Sequence, residues 1–432
     1  ASAGVAGHRQ DGKIIGLVSA GHFMSHFYFL TLPPLFPVLR EAFGVSYTEL
    51  GIMMTAIYGT SAVAQVPVGF AVDRYGARLV LGAGLTLMAA AFGLIGLAPG
   101  FIAVGLLGML GAIGHSVFHP ADYAILGSSI AESRMARAFS IHTFAGHLGT
   151  AMAPATIIFL AALANWRGAL VAAGLIGLVV MVALSTQWSS LSDDVLPPTK
   201  AKKKADDAAP AESPIAGAPA KDGLALLFSR PIVLFFLFFA VLSMTSSGMQ
   251  AFSVAALVSL HDMPVAAASA GLTAYLFCTA GGILLGGEIS GRTGKHHVIA
   301  AIAFVVTAAI ALVLAQVHLA LFALIPLMVV MGLSQGIIRP ARDMMLRAAA
   351  PKGSTGKVFG FVSAGIATGS AVAPIPFGLL LDAGRPEWVF YLIVGFMMIA
   401  LATLALQMRE RRVGGIKRLS RSKKADAAPP AP

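Results

Sequence analysis

The chain has 432 residues, of which 57% are apolar and only 11% charged, less than half the charged share of an ordinary soluble protein, about 25%. So little polar surface cannot coat water-soluble domains of this total length, which excludes a soluble enzyme. The net charge of +11 raises nucleic acid as a partner, but the basic residues gather on one side of the apolar runs, so the excess reports orientation and no nucleic-acid role is expected.

The mean hydropathy is +0.83, and apolar runs of roughly 18–25 residues repeat along the chain, long enough to cross a bilayer as helices. The short alternating segments of an outer-membrane barrel are missing. Taken in order, the runs predict helices over 14–39, 47–71, 78–98, 101–128, 138–163 and 168–189. A second set follows over 231–258, 266–287, 297–316, 319–346, 357–381 and 387–408. The fold expected is an all-α polytopic membrane protein, with twelve transmembrane helices in two six-helix pseudo-repeats.

Residues 1–189 and 224–408 form the two expected bundles. Between them, 190–223 carries Pro197, Pro198, Pro210, Pro214, Pro219 and the run Lys202-Lys203-Lys204, a composition that reads as a disordered cytoplasmic linker. Residues 409–432 read as a basic cytoplasmic tail, solvated or touching anionic lipid. Only Arg40, Arg167 and Arg385 among the 30 Lys and Arg fall in loops on the opposite side. An even span count and this asymmetry predict a multi-pass protein of a bacterial inner membrane with both termini cytoplasmic. No cleavable signal is expected, because the first apolar stretch is long and lacks a small-residue cleavage site. The single cysteine, Cys278, excludes an internal disulfide and a cysteine-based metal or redox site.

The halves repeat each other. Gly69, Arg74 and Gly76 recur 218 positions later as Gly287, Arg292 and Gly294. His119-Pro120-Ala121 recurs 220 later as Arg339-Pro340-Ala341, and Phe139, Gly149, Ala151 and Pro154 recur at the same offset as Phe359, Gly369, Ala371 and Pro374. Parallel six-helix repeats are a layout of secondary transporters, in which one half rocks against the other around a site at the midplane. Pro33, Pro34 and Pro37 are expected to bend the outer end of the first helix, and Pro154 and Pro374 the fifth and eleventh. Gly105, Gly108, Gly111 and Gly114 read as packing positions. No G-x-x-x-x-G-K-[ST] loop occurs, so ATP hydrolysis in this chain is not expected.

Gly69, Asp73, Arg74, Gly76 and Arg78 spell G-x-x-x-D-R-x-G-x-R, which resembles the loop between helices two and three of the major facilitator superfamily. The resemblance implies gating: an Asp at a helix end pairs with Arg and with a neighbouring helix N-terminus, and these contacts break when the halves rock. The second copy retains Arg292 but has Gly291 where Asp73 stands, so its latch differs. The first half also resembles the fosmidomycin-resistance group of drug–proton antiporters, through Gly21-His22-Phe23 and Ser116-Val117-Phe118-His119-Pro120. His26 stands where that group has an acidic residue, and Arg339-Pro340-Ala341-Arg342-Asp343 is unlike its second half. The antiporter run G-P-x-x-G-G of helix five is replaced by Gly146-His-Leu-Gly149-Thr-Ala-Met-Ala-Pro154.

Charges inside a bilayer are costly and need a reason. His22 and His26 share a face of the first helix, His115, His119 and Asp122 one of the fourth, and Arg339, Arg342 and Asp343 lie on the tenth. In the superfamily these helices line a central cavity, so the resemblance implies that the clusters converge. Arg339 and Arg342 are expected to bind a small organic anion, with His22, His26 and His119 beside it. Asp122, His119 and Asp343 are the expected proton-coupling groups, since carboxylate and imidazole exchange protons in such sites. Two readings stay open for these charges: substrate and proton contact, or permanent Arg339–Asp343 and Arg342–Asp122 pairs at a gate. His142 and His147, five apart, read as separate helix–helix hydrogen-bond partners.

The histidine pairs with Asp122 also suit a transition metal, but Arg339 and Arg342 oppose a bare cation, and no metal site is assigned. The expected activity is thus proton-coupled transport of a small organic anion by a monomer in membrane lipid, with efflux ahead of uptake. A proton gradient supplies the energy, and no cofactor is expected. The alternatives are an uptake symporter for an anion or metal chelate, a channel, and a non-transporting receptor or assembly protein.

Overall fold

The computed structural model describes residues 2–191, 224–350 and 355–426. A backbone that leaves water must satisfy its own N–H and C=O groups. The described residues do so almost wholly in helices, without a strand.

The first bundle comprises α1 (Ser2–Phe29), α2 (Phe36–Phe43), α3 (Tyr47–Tyr75), α4 (Ala77–Ile95), α5 (Phe101–Ser116), α6 (Phe118–Ser129) and α7 (Glu132–Ser185). The run expected as one helix over 14–39 is broken, because Pro33 and Pro34 have no N–H to give the preceding turn. A 3-10 turn at Pro33–Leu35 bridges the gap to α2. Gly44 then ends α2 in the left-handed region, φ 64°, with its N–H on the Arg40 carbonyl. The fourth expected span divides at Val117, three residues before Pro120.

At a rise of about 1.5 Å per residue, the 54 residues of α7 would run to about 80 Å, far beyond a bilayer core of about 30 Å. The helix turns back instead at Ala164 and Asn165. Asn165 adopts φ 59°, and its Oδ1 accepts from the N–H groups of Arg167, 2.9 Å, and Gly168, 3.1 Å. One Asn therefore makes the reversal and caps the helix that follows. Both arms of α7, 132–163 and 166–185, rest on α1: Gly149 against Phe23, Gly177 against Tyr28.

After a helical turn at Leu224–Leu227, the second bundle comprises α8 (Arg230–His261), α9 (Val265–Arg292), α10 (His296–Gln316), α11 (Leu321–Arg347), α12 (Thr355–Val372), α13 (Pro374–Asp382) and α14 (Glu387–Asp426). The eleventh expected span is divided at Ala373, where Pro374 opens α13. The stretch expected as a tail is helical as far as Asp426. From residue 192 the expected linker lies outside the described residues, as do 427–432.

Ten stretches of the described helices are long and apolar enough to cross a membrane. The 46° bent pair Tyr47–Gln65 and Pro67–Tyr75 adds an eleventh, and the reversal inside α7 makes twelve. Large apolar side chains such as Ile102 and Phe322 stand exposed on the outer faces, 78% and 83%, where lipid replaces water as their solvent.

The bundles meet where α3 packs on α12 and α13, and where α7 packs on α9. At the end of α3 opposite the chain termini, Asp382 of α13 caps the helix. Its Oδ1 accepts from Tyr47 N–H, 2.8 Å, and its Oδ2 from Thr48 N–H, 2.7 Å, and from the Thr48 hydroxyl. A carboxylate at a helix N-terminus meets both free N–H groups and the positive end of the dipole. The approach is close enough that a Cβ on Gly378 would lie 2.5 Å from the Tyr47 carbonyl, and one on Gly51 2.6 Å from the Pro374 carbonyl. This face of the molecule is shut.

Asp382→Asn should weaken that closure by about 1–3 kcal/mol. With Cys278 replaced by Ser, spin labels at positions 41 and 385 should report a larger long-distance population; an unchanged distribution would show that the cap does not hold the halves together.

Candidate functional site

A cavity of about 270 Å³ lies between the two bundles. His26 of α1, His115 of α5 and His147 and Thr150 of α7 line one wall. Arg339 and Arg342 of α11 line the other, with Ser243, Ser246, Ser247 and Gln250 of α8. The wall of α8 is fixed by hydroxyls: the Ser243 Oγ donates to the Ile366 carbonyl, 2.8 Å, and lies 2.6 Å from the Ser370 Oγ. Arg342 Nε donates to Asp343 Oδ1 at 3.0 Å, and its guanidinium carbon sits 4.4 Å from the Phe239 ring centroid. Arg339 and Arg342, one helical turn apart, thus present fixed positive charge to the cavity.

The ion pairs weighed from sequence form differently. Asp343 bonds Arg342 rather than Arg339 and is half exposed outside the cavity. Asp122 does not reach Arg342. It is completely buried within the first bundle, where its Oδ2 lies 3.2 Å from His22 Nδ1 and 3.5 Å from His142 Nε2. Among the described residues neither carboxylate oxygen accepts a well-formed hydrogen bond, and both ring nitrogens of His142 are likewise unmatched.

Around Asp122 the imidazoles form a continuous group. The His22 ring stacks on His142, centroids 3.8 Å apart, and stands edge-on to His26 at 4.6 Å and to His119 at 5.3 Å. His26 in turn neighbours His115 at 5.8 Å and His147 at 6.4 Å, and its Nδ1 lies 3.2 Å from the Thr150 hydroxyl. Of the substrate residues expected from sequence, only His26, Arg339 and Arg342 line the cavity. His22 and His119 stand behind its wall, while His115 and His147 take places at the front.

His142 and His147 stand on separate faces of α7, as their spacing of five suggests, and His142 meets a facing helix without a well-formed hydrogen bond. They lie about 140° apart around α7, so His142 meets Asp122 while His147 faces the cavity. What brings α7 so near α1 is glycine. A Cβ on Gly146 would fall 2.7 Å from the His22 ring, and one on Gly149 2.1 Å from the Phe23 carbonyl. His142, Gly146 and Gly149 follow at spacings of four and three, hence on one face. That glycine spacing was the signal in the sequence that marks His142 as a neighbour of α1. His22, Asp122 and His142 also offer one donor atom each within 4.8 Å of one another, a set whose chemistry could hold a transition metal.

Of the residues of the loop motif, Asp73 and Arg74 are exposed, and a Cβ on Gly69 would meet nothing within 4 Å. Gly76 makes the turn into α4 at φ 87°. Arg78 donates to the Trp188 carbonyl at 3.1 Å within its own bundle, and Arg292 pairs with Glu288 of its own helix at 2.6 Å.

The sequence matches the family described as Major Facilitator Superfamily over residues 18–261 and 236–430. It is 25% identical over 301 residues to the fosmidomycin resistance protein of Escherichia coli, covering 69% of this chain and 70% of that protein. A probable sulfoacetate transporter of Cupriavidus necator is 26% identical over 38% of each chain. The fold is similar to that of a bacterial homologue of the human lysosomal transporter Spinster, solved in an inward-facing and occupied conformation. That match has a TM-score of 0.70 and 14% identity, over 97% of this chain and 99% of that one. The chain belongs to the Major Facilitator Superfamily. It is a multi-pass membrane transporter of small substrates, not an enzyme, and it resembles the fosmidomycin-resistance group.

Gly149→Ala should lower stability by about 1–3 kcal/mol, because the added methyl meets backbone rather than a mobile side chain. Gly105→Ala, where the nearest atom is 3.6 Å away, should leave the thermal midpoint in detergent nearly unchanged. Equal midpoints for the two variants would contradict the tight α1–α7 contact.

Proposed function

We propose that the protein is a proton-coupled transporter of a small organic anion, working by alternating access as a monomer in a bacterial inner membrane with its termini in the cytoplasm. The observation that carries this reading is the pair Arg339 and Arg342 in the cavity between the halves. Guanidinium keeps its charge and forks onto carboxylate, phosphonate or sulfonate oxygens. Sulfoacetate, named for one relative, is an anion of this kind. The serine hydroxyls of α8 supply neutral donors beside the charge.

Asp122 is the proton carrier in this reading. It has His22 and His142 as its immediate partners in place of the His119 expected from spacing, and Asp343 holds Arg342 in position. His22 adjoins His26, which faces the cavity, so a proton gained or lost around Asp122 alters the charge that the anion meets. No cofactor enters the cycle; the proton gradient supplies the energy. Export is favoured by the relationship to the fosmidomycin resistance protein. Uptake by symport is favoured by a separate observation: a proton on His26 or His147 would face the arginines across one cavity and attract the same anion.

In proteoliposomes with radiolabelled sulfoacetate as probe, Arg339→Ala and Arg342→Ala should each weaken binding at least about tenfold and abolish flux without loss of fold. Unaltered affinity in both would remove the anion site. Asp122→Asn should keep counterflow exchange and lose accumulation driven by a pH gradient; persisting accumulation would remove Asp122 as carrier. The gradient polarity that drives accumulation in the wild type decides between export and uptake.

A further inference from the structure

A second concavity, of about 410 Å³, lies between α7 and α9. Phe139 and Phe144 of α7 and Ile283 and Leu284 of α9 supply its apolar walls. Phe144 is 40% and Leu284 58% exposed, so the groove opens sideways toward the bilayer. Glu288, one turn beyond Leu284 and paired with Arg292, marks its end nearer the termini.

Two features join this groove to the central cavity. His147 lines both. On α11, Arg339 lines the cavity and the next residue, Pro340, lines the groove. One imidazole and one helix position therefore separate a fixed positive charge from an apolar trough that reaches lipid.

We propose that the carried anion is amphiphilic: its charged head lies on Arg339 and Arg342, and its apolar tail passes His147 into the groove between α7 and α9. This inference rests on the anion site proposed above and adds the chemical class of what the site takes. Charge at the inner end and Phe, Ile and Leu along the walls fit one molecule with both properties, whereas a wholly polar anion leaves the groove unused. The groove is continuous with the α7–α9 contact between the halves, so a tail lying there moves with the interface that alternating access rearranges. Entry from the bilayer, rather than from water, follows for such a substrate.

The probe is a series of straight-chain alkylsulfonates from butane- to decanesulfonate, whose head carries the same charge at every working pH. Affinity for the full chain in nanodiscs is measured by calorimetry, with partition into empty nanodiscs subtracted. Binding should tighten about fourfold for each added methylene until the groove is full, the value for burying a CH₂ group. Leu284→Trp and Ile283→Trp, which fill the groove from α9, should flatten that slope, and Arg339→Ala should weaken every member alike.

A flat wild-type series, with Arg339→Ala still weakening all members, would overturn the groove and leave the anion site standing. A steep slope unaffected by both tryptophan variants would place the tail in bilayer lipid and equally overturn the proposal. Failure of every member to bind would remove both readings.

Discussion

The structure depends on how closely α7 can approach α1. Helices in a bilayer gain little from excluding lipid, so their association rests on surfaces that touch. Gly149 against the Phe23 carbonyl and Gly146 against the His22 ring set the register of the two helices. That register is what stacks His22 on His142 and puts both against Asp122. Six imidazoles and a carboxylate would be expensive to scatter through an apolar bundle. Gathered at one contact, they form a single polar region that reaches the cavity through His26, His115 and His147.

The two bundles answer that region differently. The first supplies groups that change charge with protonation; the second supplies guanidiniums that do not. The two sets do not pair directly: Arg342 bonds Asp343, and Asp122 lies beside His22 and His142. Between the bundles the closed face is secured by one carboxylate on a helix end, Asp382, while the charged motif on the other face stands exposed. A lock made of a few hydrogen bonds at the rim can open without disturbing the packed interior of either bundle. Such a contact suits a molecule whose halves exchange positions.

The twelve-span architecture was legible because its cause, runs of apolar residues of bilayer length, is written locally. The breaks were partly legible: Pro33, Pro34 and Pro374 lie where helices stop, yet Pro154 bends nothing enough to divide α7, because the helix carries on through it. Asn165 was missed as the pivot of α7, since an Asn in a short polar stretch has no distinctive pattern until its φ is known. The partner of His142, Asp122, was not legible because same-helix spacing finds neighbours on one face and says nothing of the facing helix. Asp382 carries no signal either. Its partners are backbone N–H groups 334 and 335 residues away, and no side-chain pattern records them. Arg339 and Arg342, which line the cavity, stand out in the sequence because a charge in an apolar run demands an explanation wherever the chain folds.

The correspondence of His119 with Arg339 across the repeat has a consequence for how such a molecule diversifies. A histidine codon becomes an arginine codon by a single nucleotide change, and the reverse change is as short. At this pair of positions the difference between a charge that responds to acidity and one that does not is therefore a single mutational step. A substitution there exchanges a titratable side chain for a permanently charged one while the Pro-Ala pair that follows is the same in both halves.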